Sequence, residues 1–399
     1  MASDVLRVGL IGAGRRGSQH AATLTELTED FELVAVCDPN PAAVQQHVER
    51  YGGHGYGSAH ELFASEQLDF VVIATPPDLH HVGVAAAAQH RVNVLVETAM
   101  GLTRGMMDVL AETAERAGIV VEVAENYGRR PVELLNRRAV EAGAIGDLVH
   151  LSAFNGPANN ESAYHIVSLF RAYAGGADVV DVEAIERGTR LDPAFAVPNS
   201  GKGETWMDAA LTFDNGLIAN INYVTTWTSP HRGGRPRIFT VNGTKGHIVS
   251  EEAGGTNRLH QVLDGRPRDL AMTVETQMIG GQEVPANFAY ALEPRLVETN
   301  HFSEWIRTDS NAGTPCDGVG RATELLSLKQ AIVSGKPVGR TIADGRRSQE
   351  IGISIIEAAR TRERMSATLG PETPWERTQH EAFRRRYGVD PLTGFRELI

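Results

Sequence analysis

The sequence has little cysteine and no long apolar run. Cys37 and Cys316 are the two cysteines among 399 residues. Two cysteines are too few for a disulfide framework, so we expect a reducing, cytoplasmic environment. No apolar run reaches the ~18 residues that span a bilayer. The first residues also lack the basic and apolar segments of a secretory signal, and we therefore expect neither a membrane span nor export.

Basic residues are also in deficit. Lys and Arg number 38 against 50 Asp and Glu, which gives a net charge of -12, so we expect a surface that repels nucleic acid. Hydrophobic residues make up 42% and charged residues 22%, a composition typical of globular proteins rather than disordered ones. At ~100–200 residues per domain, the length predicts two domains.

Several catalytic signatures are missing. The 14 histidines form no H-E-x-x-H, and the chain has no G-x-S-x-G and no Walker sequence, which argues against a zinc peptidase, an α/β-hydrolase and a P-loop enzyme. Glu161 and His165 supply half of a metal site, but the sequence offers no third ligand, so we expect no metal.

The first half of the chain alternates strand and helix patterns. Short apolar runs predict strands, and amphipathic stretches between them predict helices. This alternation predicts an α/β N-terminal domain with a doubly wound parallel sheet. The predicted strands cover 5–11, 31–37, 69–74, 92–96 and 119–124, and the predicted helices cover 18–29, 41–51, 79–90 and 103–117.

After about residue 146 the pattern changes to strands joined by tight turns. It predicts an α+β C-terminal domain with a large, mostly antiparallel sheet. We place the two domains at 1–146 and 147–399, and expect 345–399 to pack on the first domain or on a partner subunit. The predicted strands cover 148–154, 178–186, 204–213, 217–226 and 237–242, and the predicted helices cover 162–173, 300–306, 321–334 and 348–362.

A glycine motif follows the first predicted strand. Gly12-Ala13-Gly14-Arg15-Arg16-Gly17 is a G-x-G-x-x-G between strand and helix, and Asp38 lies 21 residues beyond Gly17. This context matches the Rossmann fingerprint, in which Gly12 permits the turn, Gly14 admits a pyrophosphate and Gly17 allows close helix packing. The helix N-terminus would bind the phosphates. The alternative is a glycine-rich turn without a ligand.

Asp38 indicates which dinucleotide would bind. Its carboxylate would accept hydrogen bonds from the adenosine ribose and would repel a 2'-phosphate. The residues that follow, Pro39-Asn-Pro-Ala, supply no compensating cation. NAD is therefore favoured over NADP, although a stacked Arg16 would weaken the preference.

Two further segments extend the motif into a family resemblance. With Ile73-Ala-Thr-Pro-Pro-Asp-Leu-His80 and Val94-Leu-Val-Glu-Thr-Ala-Met-Gly101, the chain resembles the glucose-fructose oxidoreductase, inositol dehydrogenase and rhizopine-catabolism family (Gfo/Idh/MocA). Turns at 214–219 and 243–246 are similar to those of the family's sheet domain. The resemblance implies an open-faced sheet that lines the substrate cleft, a homodimer or homotetramer, and oxidation of a sugar, cyclitol or related polyol at a secondary alcohol.

The resemblance also implies roles for individual residues. Thr75, Pro76 and His80 would line the cofactor cleft, Glu97 would lie near the nicotinamide ribose, and Asn126 would lie beside the nicotinamide or substrate. His80 has an alternative role in packing at a helix N-terminus. The residues implied to contact substrate are Glu125, Tyr127, Asn160 and Trp227, of which Trp227 lies in a segment equally compatible with a solvated loop.

The chain departs from the family's motifs at two places. The family's Glu-Lys-Pro is Glu97-Thr98-Ala99 here, and threonine cannot supply the lysine's charge to a forming alkoxide. The proline, often cis in the family, is also missing. A cis bond before Ala99 would cost ~3 kcal/mol, so we expect a different local backbone.

The second departure lies in the family's catalytic triplet, which matches Glu161, His165 and Ser168. Residues at i, i+4 and i+7 share a helix face, and a histidine titrating near ~6.5 suits a general base. The aspartate that would orient it is a neutral Ser168 hydroxyl. The alternative is that His165 is an interface histidine without a catalytic role.

Three functions follow from these observations. In the first, an NAD-dependent oxidoreductase uses His165 as base, with Tyr164, Glu161 and Asn126 positioning the substrate and Thr98 adding a hydrogen bond. In the second, an NAD-dependent glycosidase oxidises, eliminates, hydrates and reduces, and needs a second base such as Glu125 or Tyr164. In the third, the chain is a non-catalytic dinucleotide or sugar sensor.

Overall fold

The structure is a computed structural model of the chain. It describes residues 5–156, 162–188, 205–226, 237–251, 256–279, 281–301 and 315–399. Among them, no helix combines the length and apolarity needed to cross a bilayer.

The first half forms a six-stranded, entirely parallel sheet in the order β3-β2-β1-β4-β5-β6. Its strands are nearly continuous apolar runs because helices cover both faces. The predicted doubly wound sheet is confirmed. The strands are β1 (Leu6–Ile11), β2 (Phe31–Cys37), β3 (His54–Tyr56), β4 (Phe70–Ile73), β5 (Asn93–Glu97) and β6 (Val121–Ala124).

Helices connect these strands, and local capping explains where several begin and end. Asn40 accepts a hydrogen bond from Ala42 N–H at the start of α2, and Thr103 caps α5, which ends at the left-handed Gly118. The helices are α1 (Arg15–Glu26), α2 (Pro41–Tyr51), α3 (Ala59–Ser65), α4 (His80–Gln89) and α5 (Arg104–Ala117).

A nine-stranded sheet dominates the second half, in the order β14-β13-β12-β11-β7-β10-β9-β8-β18. Its pairs are antiparallel except β7 with β10, so the predicted mostly antiparallel sheet is confirmed. The strands are β7 (Leu148–Gly156), β8 (Val179–Gly188), β9 (Thr205–Phe213), β10 (Ile218–Thr226), β11 (Ile238–Gly243), β12 (Gly246–Glu251), β13 (Thr256–Leu263), β14 (Arg266–Ala271) and β18 (Met365–Ser366).

A smaller antiparallel sheet and five α-helices complete the part of the chain that the structure describes. The small sheet contains β15 (Thr273–Ile279), β16 (Gln282–Tyr290) and β17 (Leu296–Thr299). The helices are α6 (Pro131–Glu141), α7 (Tyr164–Tyr173), α8 (Pro315–Ser334), α9 (Ile342–Thr361) and α10 (Pro374–Tyr387).

The late helices carry the chain back to the first sheet. Apolar residues of α8, including Ala322 and Leu325, join the core beneath β1 and β4. Phe383 of α10 and Phe395 of the tail pack against α4 and α5. In contrast, α7 and much of α9 pack on the nine-stranded sheet. The late helices therefore contribute to the cores of both sheets.

Some elements differ from the prediction. Asn300 and His301 follow β17 without helical structure, and the rest of the helix predicted over 300–306 lies outside the described residues. The helix predicted from 321 starts at Pro315, and the one predicted over 348–362 runs from Ile342 to Thr361. Thr341 and Asp344 form a capping box at the start of α9, and the helix therefore begins six residues before the predicted start.

Candidate functional site

The candidate site lies along one edge of the parallel sheet. β1, β4, β5 and β6 end nearly level, since Ile11 pairs with Ile73, Ile73 with Val96, and Glu97 with Ala124. The strand order reverses between β1 and β4, the position where open α/β sheets bind ligands. Three strand spacings of ~4.8 Å span ~14 Å from the glycine loop to the loop after β6, enough for an extended dinucleotide.

The glycine loop has the conformation that its motif predicts. Gly12 has a φ of 106°, and a Cβ there would lie 2.6 Å from the Ala74 carbonyl oxygen. A Cβ on Gly17 would lie 2.0 Å from the Gly12 carbonyl oxygen, so the helix packs directly on the turn. A Cβ on Gly14 would meet no atom within 4 Å. The loop is therefore open at the one glycine where a pyrophosphate would approach.

Asp38 lies beside this loop at the end of β2. One carboxylate oxygen accepts a hydrogen bond from Ala13 N–H at 2.9 Å, and the other accepts from Asn40 N–H at 2.9 Å. A carboxylate has about four acceptor positions, so capacity for ribose hydroxyls is left. The neighbouring Arg15 is exposed. The ribose-binding role of Asp38 stays a prediction.

The loop after β4 contributes Thr75, Pro76 and His80. The Thr75 hydroxyl is buried and has no hydrogen-bond partner among the described residues, and Pro76 is exposed. The fully buried His80 ring lies 2.9 Å from both the Thr75 and the Ala99 carbonyl oxygens. His80 thus joins the loops after β4 and β5 from the inside, and burial lowers the pKa of its ring.

Glu97 ends β5 inside a buried charged cluster. Its Oε1 accepts from Arg16 Nε and from His20 Nε2, each at 2.5 Å, and its Oε2 accepts from Thr98 N–H at 3.1 Å. Burial alone would raise the pKa of Glu97, but the Arg16 charge and the His20 hydrogen bond hold this pKa well below its ordinary value. Burial lowers the pKa of His20.

Glu324 of α8 completes this cluster. Its carboxyl is fully buried, and neither oxygen has a hydrogen-bond partner among the described residues. Burial and the nearby Glu97 raise the pKa of Glu324 well above its ordinary value. Ligand atoms of His20, Glu97 and Glu324 lie within 4.8 Å of one another, as in a metal site. However, Glu97 Oε1 already accepts a hydrogen bond from Arg16, and the positive charge of Arg16 would repel a bound cation.

Thr98 and Ala99 occupy the family's lysine and proline positions. Both are buried. The Thr98–Ala99 peptide bond is cis, so the expectation of a different local backbone is wrong at this bond. The substitution of the lysine nevertheless leaves this loop without a cation of its own.

The loop after β6 and helix α7 bring Glu125 and His165 together. His165 Nδ1 lies 3.0 Å from one Glu125 carboxylate oxygen and 3.3 Å from the other. Glu125 is buried, whereas the His165 side chain keeps 15% of its surface exposed. Burial would raise the pKa of Glu125, but the neighbouring His165, the Tyr127 N–H and the Arg340 charge together lower it.

Aromatic side chains surround His165. The Tyr127 ring stacks on the imidazole with centroids 4.5 Å apart and an interplanar angle of 19°. Tyr164 meets it edge-on at 5.6 Å. Tyr164 is almost fully buried, and burial beside Glu125 raises the pKa of its hydroxyl well above the ordinary value. Asn126 is buried between Glu125 and Tyr127.

Three predicted site residues, Asn160, Glu161 and Trp227, lie outside the described residues. The helix predicted over 162–173 begins at Tyr164. Ser168, the third member of the predicted triplet, is buried on α7.

Sequence reasoning missed His20, Glu324 and Arg340. His20 had a usable signal, because it lies four residues after Arg16 on α1 and therefore on the same helix face. Glu324 and Arg340 belong to the distant region around α8 and α9, and no local pattern connects them to the site.

Known proteins with similar sequences show the family to which the first part of the chain belongs. A family model described as "Oxidoreductase family, NAD-binding Rossmann fold" (GFO_IDH_MocA) matches residues 6–125. Those residues belong to the Gfo/Idh/MocA oxidoreductase family. The resemblance that the sequence motifs indicated is thus confirmed.

Two curated relatives of this family have different activities in their names. The "Rhizopine catabolism protein MocA" of Rhizobium meliloti is 33% identical over 177 residues, which cover 43% of this chain and 52% of that protein. A "Glycosyl hydrolase family 109 protein" of Shewanella baltica is 32% identical over 160 residues, covering 37% of this chain and 34% of that protein. The chain thus matches about a third to a half of these relatives' length.

Solved structures share the fold over most of the chain. Levoglucosan dehydrogenase, in complex with NADH and levoglucosan, has a TM-score of 0.69 at 20% identity, with 92% of this chain and 100% of that chain covered. An oxidoreductase from Agrobacterium radiobacter, in complex with NAD+, L-tartaric acid and magnesium, has a TM-score of 0.67 at 19% identity, with 91% and 98% covered.

Proposed function

We propose that the chain is an NAD-dependent oxidoreductase that transfers hydride between nicotinamide and a secondary alcohol of a sugar, cyclitol or related polyol. The observation that carries the proposal is the Glu125–His165 pair at the same sheet edge as the glycine loop. The imidazole is partly exposed and lies by the loop after β6, three strands away from the glycine loop along the same sheet edge, which supports a site that extends between them. The match of residues 6–125 to an NAD-binding oxidoreductase family supports the cofactor.

The chain's residues fit this cofactor. The N-terminus of α1 and the open surface at Gly14 would hold the pyrophosphate through backbone N–H groups. Asp38 would hold the adenosine ribose, and the unpartnered Thr75 hydroxyl would contact the cofactor near the loop after β4. When bound, NAD supplies the nicotinamide C4 that accepts a hydride from the substrate carbon.

His165 would accept the proton that leaves the alcohol. Its Nδ1 faces Glu125, which leaves Nε2 to accept the hydroxyl proton. The alcohol C–H electron pair leaves as hydride, the O–H proton moves to Nε2, and the carbon becomes a carbonyl. Thr98 would add a hydrogen bond without charge, so the proposed proton transfer to His165 proceeds without a cation beside the alcohol oxygen at this position.

The second candidate is an NAD-dependent glycosidase that is redox-neutral overall. The relatives named as glycosyl hydrolase family 109 proteins favour it. That reaction removes a C2 proton as well as a hydroxyl proton and therefore needs a second base. Tyr164 is buried with a strongly raised pKa, and Glu125 is engaged by His165 and Tyr127. Of the bases considered, the described residues offer His165 alone, which favours the dehydrogenase.

One assay separates these functions and the sensor. Purified protein is incubated with NAD and a panel of free sugars, cyclitols and aryl glycosides, while NADH absorbance and aglycone release are followed together. We expect NADH to accumulate with at least one polyol. Aglycone release without net NADH would replace the proposal with the glycosidase, and NAD binding with neither signal would replace it with a sensor.

A further inference from the structure

We propose that Glu125 is the positioning residue for His165 and takes over the orienting role that Ser168 cannot fill. The proposal rests on the proposed function, in which His165 is the proton acceptor. Glu125 and His165 would then form a carboxylate–histidine pair from two distant parts of the chain, the end of β6 and the start of α7. The sequence had indicated Glu125 as a substrate ligand or a second base.

The Glu125 carboxylate is fixed at both oxygens. Oε1 accepts from the Tyr127 backbone N–H at 3.0 Å, and Oε2 lies 3.0 Å from His165 Nδ1. The loop itself is anchored, because Glu125 follows the buried β6 directly. His165 Nδ1 also lies 3.3 Å from Oε1, so the imidazole faces both oxygens of a carboxylate that the Tyr127 N–H holds in place.

This arrangement decides which imidazole nitrogen carries the proton. The pKa of Glu125 is lowered despite its burial, so it is an anion that accepts hydrogen bonds and donates none. Neutral His165 must then carry its proton on Nδ1 and leave the Nε2 lone pair to the cleft. When Nε2 takes the substrate proton, the same carboxylate balances the new imidazolium charge.

The ring plane is fixed separately from the tautomer. Tyr127 stacks on the imidazole, and the Arg130 guanidinium covers the Tyr127 ring at 3.8 Å from its centroid. The Tyr164 ring contacts the imidazole of His165 edge-on and thereby limits the rotation of the imidazole. Besides His165, the Arg340 charge helps to lower the pKa of Glu125 and opposes part of the rise that burial causes in the pKa of Tyr164.

The variant Glu125→Gln tests this proposal because the surroundings determine how the amide would turn. The Tyr127 N–H requires an acceptor, so the glutamine oxygen would face Tyr127 and its NH2 group would face His165 Nδ1. An NH2 donor there favours the opposite tautomer, with the proton on Nε2 and no base toward the cleft. Glu125→Asp keeps the charge and shortens the reach by one methylene.

The first measurement is the ring tautomer, read from the nitrogen chemical shifts of 15N-histidine-labelled protein. The His165 signals are identified by their loss in His165→Asn. We expect the Nδ1–H tautomer in the unmodified protein and the Nε2–H tautomer in Glu125→Gln. An Nε2–H tautomer in the unmodified protein would overturn the proposal whether or not any variant folds, and even if no substrate is found.

The second measurement is the turnover with a polyol from the assay above. We expect Glu125→Gln to lower kcat by ~100-fold with less than ~3-fold change in the NAD KM, and Glu125→Asp to recover at least ~10-fold of that loss. An unchanged kcat would show that Glu125 does not act through His165.

Glu133→Gln is the matched control. Glu133 is a comparably buried carboxylate that accepts from the Tyr173 hydroxyl at 2.7 Å, away from His165. We expect it to alter stability but to leave kcat within ~2-fold and the His165 tautomer unchanged. Equal kcat losses in the Glu133 and Glu125 variants would assign Glu125 a structural role instead. If the unmodified protein forms no NADH with any polyol, the proposed function fails, while the tautomer still tests the pair.

Discussion

Glu97 and Glu125 are both buried carboxylates at the ends of neighbouring parallel strands, yet their partners differ. Glu97 binds Arg16 and His20 beneath the glycine loop, whereas Glu125 binds His165 in the cleft. Arginine keeps its charge at every physiological pH, so Glu97 is permanently neutralised. Glu97 therefore has a permanently charged partner besides His20, whereas the side chain hydrogen-bonded to Glu125 is a histidine, the residue type that can accept a proton. This difference supports the proposal that the Glu125–His165 pair takes part in proton transfer; a mainly structural role of the Glu97 cluster is a prediction.

The largest expected effect comes from the cleft. We expect His165→Ala to lower kcat by ~100-fold or more, because it removes the proton acceptor. NAD affinity should change little, since no cofactor contact is assigned to His165. Steady-state kinetics with the identified polyol and calorimetric NAD titration measure the two quantities. Undiminished turnover would remove His165 from the base role.

The double variant Glu125→Gln with His165→Ala sharpens this result. If the two residues act as one unit, the double variant should be no slower than His165→Ala alone. Additive losses would mean that Glu125 contributes to turnover independently of His165, for example as a substrate ligand.

The structural cluster should respond in stability instead of turnover. We expect Glu97→Gln to lower the free energy of unfolding by about 3 kcal/mol at neutral pH, because it leaves Arg16 without its buried counter-ion. The folded-state pKa of Glu97 is depressed, so its stabilisation is present above the ordinary pKa and is lost as pH falls through the acid range. Urea unfolding at several pH values tests this, and a stability gap that does not narrow on acidification would contradict it.

Whether each cluster could be predicted from the sequence depends on how far apart its residues lie along the chain. The strands around the glycine loop carry local apolar runs, from which the parallel sheet followed, and the motif residues at the strand ends carried the resemblance to the family. Strands β14 and β15 were missed because their side chains are largely exposed and show no apolar alternation. Helix α10 is strongly charged and was also missed, although Thr373 and Glu376 form a capping box at its start.

The Glu125–His165 contact could not be predicted in the same way. The two residues are 40 positions apart, and their approach depends on how α7 packs against the loop after β6. A charged residue directly after a buried strand marks Glu125 as unusual, but it does not name the partner. The roles of the site residues remain predictions, which the experiments proposed here address.

The variant Glu324→Gln is expected to change the free energy of unfolding in the opposite direction from Glu97→Gln. Its folded-state pKa is raised, so the unfolded chain ionises first and stability falls as pH rises above the ordinary carboxyl pKa. We expect Glu324→Gln to be more stable than the unmodified protein, with a gain that grows by up to ~1.4 kcal/mol per pH unit until the folded-state carboxyl ionises. The free energy of unfolding of both proteins is measured by urea denaturation between pH 5 and pH 8, in steps of roughly one pH unit.

A gain that shrinks with rising pH would show that Glu324 is ionised and stabilised in the fold, for example by Arg321, whose NH1 is another buried atom without a hydrogen-bond partner among the described residues. If added metal ions stabilised the unmodified protein but not Glu324→Gln, the result would show instead that His20, Glu97 and Glu324 bind a cation.

The smallest expected effect separates cofactor binding from the chemistry in the cleft. We expect Asp38→Ala to weaken NAD about 10-fold, because one charged acceptor for the ribose is lost, and to narrow the preference for NAD over NADP, because the repulsion of a 2'-phosphate disappears. At saturating NAD, kcat should be unchanged, since His165 and Glu125 are untouched.

A control is needed because Asp38 also accepts a hydrogen bond from Ala13 N–H in the glycine loop. Asn40→Ala removes the neighbouring cap of α2 and serves as the control for loop disturbance. An unchanged NAD-to-NADP ratio in Asp38→Ala would exclude Asp38 as the ribose ligand.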